Sequence, residues 1–188
     1  MLDILLTVLV GIWVFVPALL PNSAAVVFGG GTPMDFGKSM GGERILGDGK
    51  TWRGFFGGGL SGVAVGLVMI GVSMLAGSED GWGFGPLPGA LSVLFCLSFG
   101  SLLGDILGSF LKRRFGVERG GKAPILDQYD FVIGAFLLAM AFRWDWVMAT
   151  YVDGYGWLSL IALLVLVPLL HRAVNIIGYR SGLKDEPW

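Results

Sequence analysis

Long apolar stretches separated by short polar ones run along the whole chain. Five of them hold about 20 residues with few charges, the length that a helix needs to cross about 30 Å of hydrocarbon. These five predicted spans are residues 2–28, 54–76, 88–111, 131–150 and 156–177. The pattern therefore predicts an all-α integral membrane protein, built as a bundle of five transmembrane helices.

Two prolines interrupt the first predicted span. Pro17 and Pro21 each lack the N–H that a helix interior uses, so we expect the helix to kink or break between residues 18 and 22. A broken helix can line a cavity, and a kink that only improves packing is the alternative. The span begins with Asp3 instead of a basic residue and is long, so we expect no cleaved signal peptide.

The composition supports a membrane location. Hydrophobic residues make up 54% of the 188 residues and charged residues only 14%, and the mean hydropathy is +0.74. Soluble proteins carry about 25% charged residues. We predict a single membrane-embedded domain over residues 1–188. The net charge of −1 does not indicate a nucleic-acid partner, and none is expected.

The loops between the predicted spans differ in charge. Lysines and arginines concentrate in residues 29–53 and 112–129 and in the tail after residue 171, whereas residues 77–87 and 143–155 carry more acidic residues. Cationic loops favour the cytoplasmic side. The sequence therefore predicts that the N-terminus is outside the cell membrane and that the C-terminus is cytoplasmic. We assign six of these cations to this orientation signal alone: Arg44, Arg114, Arg119, Arg172, Arg180 and Lys184.

Glycine is unusually common, at 32 of 188 residues, where about 7% is typical. Two series have a spacing of four residues: Gly54, Gly58 and Gly62, then Gly100, Gly104 and Gly108. Small residues four apart let transmembrane helices approach closely. We therefore expect tight helix packing, and these faces also allow a homodimer.

Charged residues gather between the third and fourth predicted spans. A carboxylate at membrane depth is costly unless it is paired, bound to a metal or facing water, so its default interpretation is functional. If the third span continues as a helix to residue 113, then Asp105, Ser109 and Lys112 share one face. These three side chains would line one wall of a site.

A second wall is expected from the start of the next helix. Pro124 suits a first helical turn, and Asp127 and Asp130 are spaced to share one side of the helix that follows. Carboxylates with few other donors favour Mg²⁺, which usually keeps waters and shares phosphate oxygens. Neighbouring lysines and arginines could hold further phosphates, so the pattern indicates phosphoryl or nucleotidyl transfer.

Two motifs in these polar segments form a recognisable pattern. One reads S-F-L-K-R over residues 109–113, followed by Lys122 and by L-D-Q-Y-D over residues 126–130; the other reads K-T-W-R-G-F-F-G-G over residues 50–58. Together they resemble the CTP-dependent phosphatidate cytidylyltransferases, also called CDP-diacylglycerol synthases. The short chain and the run P-I-L-D-Q-Y-D-F are similar to the archaeal branch, the CDP-archaeol synthases. Arg53 stands where a glutamate is usual in the wider family.

The resemblance implies an enzyme that transfers CMP from CTP to 2,3-bis-O-(geranylgeranyl)-sn-glycerol 1-phosphate, with Mg²⁺ as cofactor and pyrophosphate as the second product. It implies four catalytic residues: Asp105, Asp127, Asp130 and Lys122, the three aspartates being metal ligands. It implies five nucleotide-binding residues: Lys50, Arg53, Ser109, Lys112 and Arg113. The active site would lie near the cytoplasmic face of the membrane, where CTP and an isoprenoid-ether lipid can both arrive.

Three alternatives stay open. A phosphatidate cytidylyltransferase acting on ester lipids would share the motifs. A CDP-alcohol phosphotransferase would be expected to carry D-G-x-x-A-R followed by G-x-x-x-D-x-x-x-D, which this chain lacks. A cation-conducting transporter could use the three aspartates, but it would leave the neighbouring Lys112, Arg113 and Lys122 unexplained.

Overall fold

The chain folds mainly as long helices. The computed structural model describes residues 1–117, 121 and 123–182. Within them the elements are α1 Leu2–Leu19, α2 Pro21–Phe28, β1 Ser39–Met40, β2 Glu43–Arg44, α3 Trp52–Leu75, α4 Leu87–Arg114, α5 Pro124–Phe142, α6 Trp144–Tyr151 and α7 Gly156–Arg180. The two strands form a short antiparallel hairpin in which Ser39 pairs with Arg44. Apart from this hairpin, the predicted all-α class is confirmed for the described residues.

Four helical segments in the described residues are long and apolar enough to cross a membrane. They are Leu2–Phe28, Trp52–Leu75, Leu87–Arg114 and Gly156–Arg180. Large apolar side chains also point outwards, and Leu60, Leu164 and Leu169 are each more than half exposed. An outer surface of this kind suits lipid better than water. The predicted class, a multi-pass membrane protein, is therefore confirmed.

The fifth predicted span, residues 131–150, is not one continuous helix. It is divided at Arg143, whose φ of −139° and ψ of 46° lie outside the helical region and separate α5 from α6. The Arg143 guanidinium reaches α4, where Nη1 donates a hydrogen bond to Ser92 Oγ at 2.6 Å. The turn thus depends on a contact with a distant helix, which apolar periodicity does not reveal.

The first span breaks where its prolines predict. α1 ends at Leu19 and α2 begins at Pro21. Because Pro21 has no N–H, the carbonyl of Pro17 loses its helical partner, and Ser98 Oγ of α4 donates to that oxygen at 3.4 Å. Residues beside the break, including Leu20, line the cavity described below. The cavity-lining alternative for this break is therefore the one that the structure supports.

The glycines at four-residue spacing mark close helix contacts. A Cβ added to Gly104 of α4 would lie 2.1 Å from the Asp130 carbonyl oxygen of α5. A Cβ added to Gly58 of α3 would lie 2.5 Å from the Pro21 carbonyl oxygen. Neither position has room for any side chain, so the predicted tight packing is confirmed.

The core lies where α1, α4 and α5 converge. Val14 and Phe15 of α1, Leu97 of α4 and Ala135 of α5 are all fully buried. The Phe15 ring stacks on Phe136 of α5 with ring centroids 5.2 Å apart. This packing fixes α1 against the helices that carry the charged residues.

Candidate functional site

A cavity of about 400 Å³ lies among α1, α2, α4, α5 and α7. Four charged side chains line it: Lys50, Asp105, Asp127 and Asp130. Apolar side chains form other parts of its wall: Val16, Leu19, Leu20, Val167, Leu170 and Val174. A space that offers both charged groups and apolar walls suits an amphiphilic ligand, whose two parts need opposite surroundings.

Lys50 reaches this cavity from the loop before α3. Its Nζ forms an ion pair with Asp105 Oδ2 on α4. The next residue, Thr51, caps α3, because its Oγ1 accepts the Gly54 N–H at 3.1 Å. This cap fixes where the loop ends and thereby places Lys50 beside α4. The two paired side chains are 25% and 23% exposed, so a ligand can still reach them.

Lys112 and Asp127 form a second pair where α4 ends and α5 begins. Lys112 Nζ lies 2.6 Å from Asp127 Oδ1. Asp127 Oδ2 accepts the Ala123 N–H at 3.0 Å, which satisfies a donor that the helix start leaves free. A carboxylate is also favoured at the positive end of the helix dipole. The local geometry of α5 therefore holds Asp127 in place.

Asp130 is the most enclosed of the three aspartates, at 7% exposed. Its Oδ1 accepts the Phe131 N–H at 2.6 Å. Gly108 of α4 makes room for its carboxylate, since a Cβ there would lie 2.2 Å from Asp130 Oδ2. Within the described residues no lysine or arginine pairs with it. A buried carboxylate of this kind is costly by itself and favours a cationic ligand.

Two predicted nucleotide-binding residues, Arg53 and Arg113, are absent from the lining that the described residues give this cavity, and their role stays a prediction. Arg113 donates to the carbonyl oxygen of Val117, just beyond the end of α4. Arg53 is exposed in the first turn of α3, where its side chain packs beside Gly31. Arg113 thus contacts a residue close in sequence, whereas Arg53 packs against a glycine in the loop before α3.

Ser109 and Lys122 complete the predicted set. Ser109 is buried on α4, one turn beyond Asp105, and is absent from the cavity lining formed by the described residues. Lys122 lies outside the described residues. The cations that the structure brings to the aspartates are therefore Lys50 and Lys112.

Sequence reasoning missed the residue that shapes the loop before α3. The Asp35 carboxylate is fully enclosed and accepts hydrogen bonds from the Arg44 guanidinium and from three backbone N–H groups: Gly37, Leu46 and Gly47. The Arg44 guanidinium holds the pKa of Asp35 well below its usual range. Asp35 thus organises the segment that delivers Lys50.

Arg114 ties the same loop to the end of α4. Its guanidinium donates to the carbonyl oxygen of Met40 and, at 3.1 Å, to that of Arg44. It also lies over the Phe110 ring, 5.5 Å from the centroid. Arg44 and Arg114 therefore hold the loop in place, which the orientation signal alone did not predict. About 70 residues separate Arg114 from its partners, and no local sequence signal marks such a contact.

Two asparagines in the cavity lining were also missed. Asn22 lies in the first turn of α2, and Asn175 of α7 is only 3% exposed. The Oδ1 atom of Asn22 is buried and has no hydrogen-bond partner among the described residues. Buried acceptors without a partner are rare in folded proteins. Asn22 is therefore expected to meet a donor on a ligand.

Comparison with known proteins identifies the family. The family model described as CarS-like, CDP-archaeol synthase, matches residues 1–188. The chain belongs to this family. The CDP-archaeol synthase of Picrophilus torridus is 44% identical over 185 residues, which are 98% of each chain. That of Methanoculleus marisnigri is 48% identical over 92% of this chain and 99% of the relative.

A solved structure is similar to this CDP-archaeol synthase family member along most of its length. It is described as an intramembrane enzyme for archaeal membrane lipids biosynthesis. It is 34% identical, covers 88% of this chain and 92% of its own chain, and aligns with a TM-score of 0.62. The resemblance seen in the motifs is thus confirmed, and the chain is an enzyme of the cytidylyltransferase type.

The CDP-archaeol synthase family suggests a divalent metal, and the donor atoms present can be compared with that requirement. Within the described part of the chain, no three histidine, cysteine or acidic side chains converge as a metal cage. The three predicted metal ligands therefore line one cavity without forming a closed site, and Asp105 and Asp127 face lysines. Mg²⁺ usually takes one or two carboxylates and shares substrate phosphates. The carboxylates of this cavity fit that mode.

Proposed function

We propose that this chain transfers CMP from CTP to 2,3-bis-O-(geranylgeranyl)-sn-glycerol 1-phosphate, forming CDP-archaeol and pyrophosphate. Membership of the CDP-archaeol synthase family supports the reaction. The observation that carries it is one cavity lined by Lys50 and three aspartates beside apolar walls, with Lys112 paired to one of those aspartates. It brings phosphate-binding charge and lipid-compatible surface into one space.

The reaction needs positioning more than proton transfer. An oxygen of the lipid phosphate attacks the α-phosphorus of CTP and forms the new P–O bond. The bond from that phosphorus to the bridging oxygen breaks, and pyrophosphate leaves with the electron pair. Because the attacking phosphate is already an anion, no strong general base is required, and we assign none.

The two lysines are placed to bind the negatively charged phosphate groups of the substrates. Lys50 and Lys112 are each held by an aspartate, and both pairs are partly accessible. Incoming phosphate oxygens would draw the two ammonium groups away from Asp105 and Asp127, leaving those carboxylates next to Asp130. Mg²⁺ bound by Asp130 together with Asp127 or Asp105 would neutralise further phosphate charge and stabilise the leaving group. The lysines themselves orient the two anionic substrates against each other.

The distribution of contacts supports five membrane crossings. Arg114 and the loop before α3 meet at one end of the bundle, whereas Trp146 Nε1 donates to the Gly83 carbonyl oxygen, at 2.7 Å, at the other. In this arrangement α5 and α6 complete the fifth crossing. The cationic end then faces the cytoplasm, with the N-terminus outside and the C-terminus inside. The cavity would lie near the cytoplasmic face of the cell membrane.

A single catalytic domain over residues 1–188 accounts for the proposed reaction. The homodimer stays a separate prediction.

The reaction can be tested with purified protein, Mg²⁺ and CTP labelled at its α-phosphorus. We expect label to enter the lipid extract with the geranylgeranyl-ether glycerol phosphate, and unlabelled pyrophosphate to be released in equal amount. The same lipid without its phosphate should give no product, and α-labelled ATP should be a poor substitute for CTP. A large preference for ester-linked phosphatidic acid would replace the archaeal lipid assignment. Absence of turnover with either lipid would contradict the enzyme proposal.

Orientation can be tested by cysteine labelling. Cys96 is buried, so it should remain unlabelled by a membrane-impermeant maleimide. Lys38→Cys should react only from the cytoplasmic side and Glu79→Cys only from the outside. The opposite result would reverse the proposed orientation.

A further inference from the structure

A smaller cavity of about 60 Å³ adjoins the large one beside the loop before α3. Both cavities share Asn22, Lys50 and Asp105. The walls of the smaller cavity combine apolar side chains, including Phe55, Leu102 and Ile106, with four polar ones: Asn22, Lys50, Thr51 and Asp105. A narrow space with both apolar and polar walls suits a flat heteroaromatic ring, which has apolar faces and a polar edge.

Asn22, which lines both cavities, has an unpartnered atom that accepts hydrogen bonds but cannot donate them. Asn22 Oδ1 is buried without a hydrogen-bond partner among the described residues, and an amide oxygen requires an N–H or O–H donor. The ether oxygens of the lipid substrate supply no donor, and its ionised phosphate oxygens are acceptors. CTP supplies donors in the 4-amino group of cytosine and in the ribose hydroxyls. The chemistry of Asn22 therefore points to the nucleoside.

We infer that Asn22 Oδ1 accepts a hydrogen bond from the cytosine 4-amino group, with the base held in the smaller cavity. This inference rests on the proposed function. Phe55, Leu102 and Ile106 offer apolar surface, which suits the flat faces of the base better than the hydroxyl-rich ribose. Lys50 and Asp105 line both cavities, so a base in the smaller cavity would lie next to phosphates in the larger one. Asn22 is then a specificity residue for CTP.

The inference explains how UTP would be rejected. Uracil carries a carbonyl oxygen where cytosine carries its amino group, so two acceptors would face each other at Asn22. A site built around a specific hydrogen bond discriminates strongly against an analogue that cannot make it. The selectivity for CTP over UTP should therefore depend on this one amide.

The test compares kcat/KM for CTP, UTP and dCTP in the full-length protein. Asn22→Leu removes the acceptor at similar size. We expect its preference for CTP over UTP to fall at least about tenfold, mostly because kcat/KM for CTP decreases. Asn22→Asp keeps an acceptor and should retain the preference. If Asn22→Leu does not fold, Asn22→Ala provides the same comparison. Asn175→Leu is the matched control, since Asn175 lines only the larger cavity and should leave the ratio unchanged.

Each other outcome overturns a particular statement. An unchanged CTP over UTP ratio in a folded Asn22→Leu variant would refute the base contact while the proposed reaction stands. A change confined to the CTP over dCTP ratio would place Asn22 at the ribose instead. If the wild-type protein used neither CTP nor UTP, the proposed function itself would fail.

Discussion

The two ion pairs of the cavity are built from different parts of the fold. Lys112 and Asp127 lie on α4 and α5, which glycine contacts hold at close range. Lys50 instead comes from a loop, and it reaches Asp105 because hydrogen bonds to Asp35 hold that loop in shape. One pair is therefore positioned by helix packing and the other by a hydrogen-bonded loop.

This difference predicts how each side of the cavity responds to change. Closely packed helices cannot absorb added volume without displacing neighbouring atoms. A surface loop can adjust its backbone at lower cost. We therefore expect the helix side to be sensitive to both size and charge, and the loop side mainly to charge.

Loss of a carboxylate on the helix side should have the largest effect. Asp130→Asn keeps the size of the side chain but removes the negative charge of the most enclosed group, and we expect turnover to fall about a thousandfold. Asp127→Asn should cause a comparable loss because it also frees Lys112 from its partner. Initial rates of labelled CTP incorporation measure both effects.

Two checks accompany these variants. Size-exclusion chromatography in detergent should show that each variant remains folded. Glu79→Gln, at an exposed position in a loop at the other end of the bundle, should keep the wild-type rate. Near wild-type activity in Asp127→Asn or Asp130→Asn would remove that residue from the proposed site.

Added volume at the helix contact should cause the next largest loss. A methyl group at Gly108 would lie 2.2 Å from Asp130 Oδ2, so Gly108→Ala must displace the carboxylate or separate α4 from α5. We expect about a hundredfold loss of activity, since misplacement of about 1 Å can have that effect. Gly71→Ala is the matched control, because a Cβ there would meet no other part of the described structure within 4 Å beyond the adjacent residues and backbone of its own helix. Equal losses in both variants would show a general intolerance of helix glycines and not a site effect.

The sequence predicted features that depend on regular spacing. The apolar runs correctly predicted four spans. The four-residue glycine spacing predicted the close helix contacts, and the prolines predicted the break between α1 and α2. The i, i+3 spacing placed Asp127 and Asp130 on the same cavity. In each case the helix repeat converts a sequence interval into a position in space.

Features that depend on distant or irregular contacts could not be predicted in this way. The division of the fifth span at Arg143 depends on a contact with Ser92, 51 residues away. The loop held by hydrogen bonds to Asp35 has no regular spacing of apolar residues from which its shape could be predicted. Arg53 shares a motif with Lys50 but is not among the described residues that line the cavity. Asn22 is an ordinary polar residue in sequence, and what distinguishes it is an Oδ1 atom without a partner among the described residues. Such properties arise from tertiary structure alone.

Conservative replacement of the two lysines tests the comparison directly. Arginine keeps the charge but has a larger, planar head, so Lys112→Arg must fit between packed helices whereas Lys50→Arg can be absorbed by the loop. We expect kcat/KM for CTP to fall about a hundredfold in Lys112→Arg and less than about tenfold in Lys50→Arg. Steady-state kinetics over a range of CTP concentrations measure both. Arg172→Ala, at an exposed position, should be silent, and equal losses in the two lysine variants would remove the distinction between helix and loop.

The smallest expected effect concerns the loop itself. Asp35→Asn weakens the contacts with Arg44 and should raise KM for CTP several-fold while leaving kcat close to wild type. It should also lower stability by on the order of 2 kcal/mol at neutral pH, because hydrogen bonds to a charged group are lost. Asp48→Asn is the control, since Asp48 also pairs with Arg44 but its side chain is 61% exposed.

The pH dependence has a definite sign. The folded pKa of Asp35 is lowered by Arg44, and an unfolded aspartate titrates near pH 4. The stability that its charge contributes is therefore fully present well above about pH 4 and is lost as the pH falls through that value towards the folded pKa. Thermal unfolding in detergent should show a gap between wild type and Asp35→Asn that is wide at pH 7 and shrinks in acid. A gap that stays constant with pH would mean that the charge of Asp35 does not hold the loop, and that its shape and backbone contacts suffice.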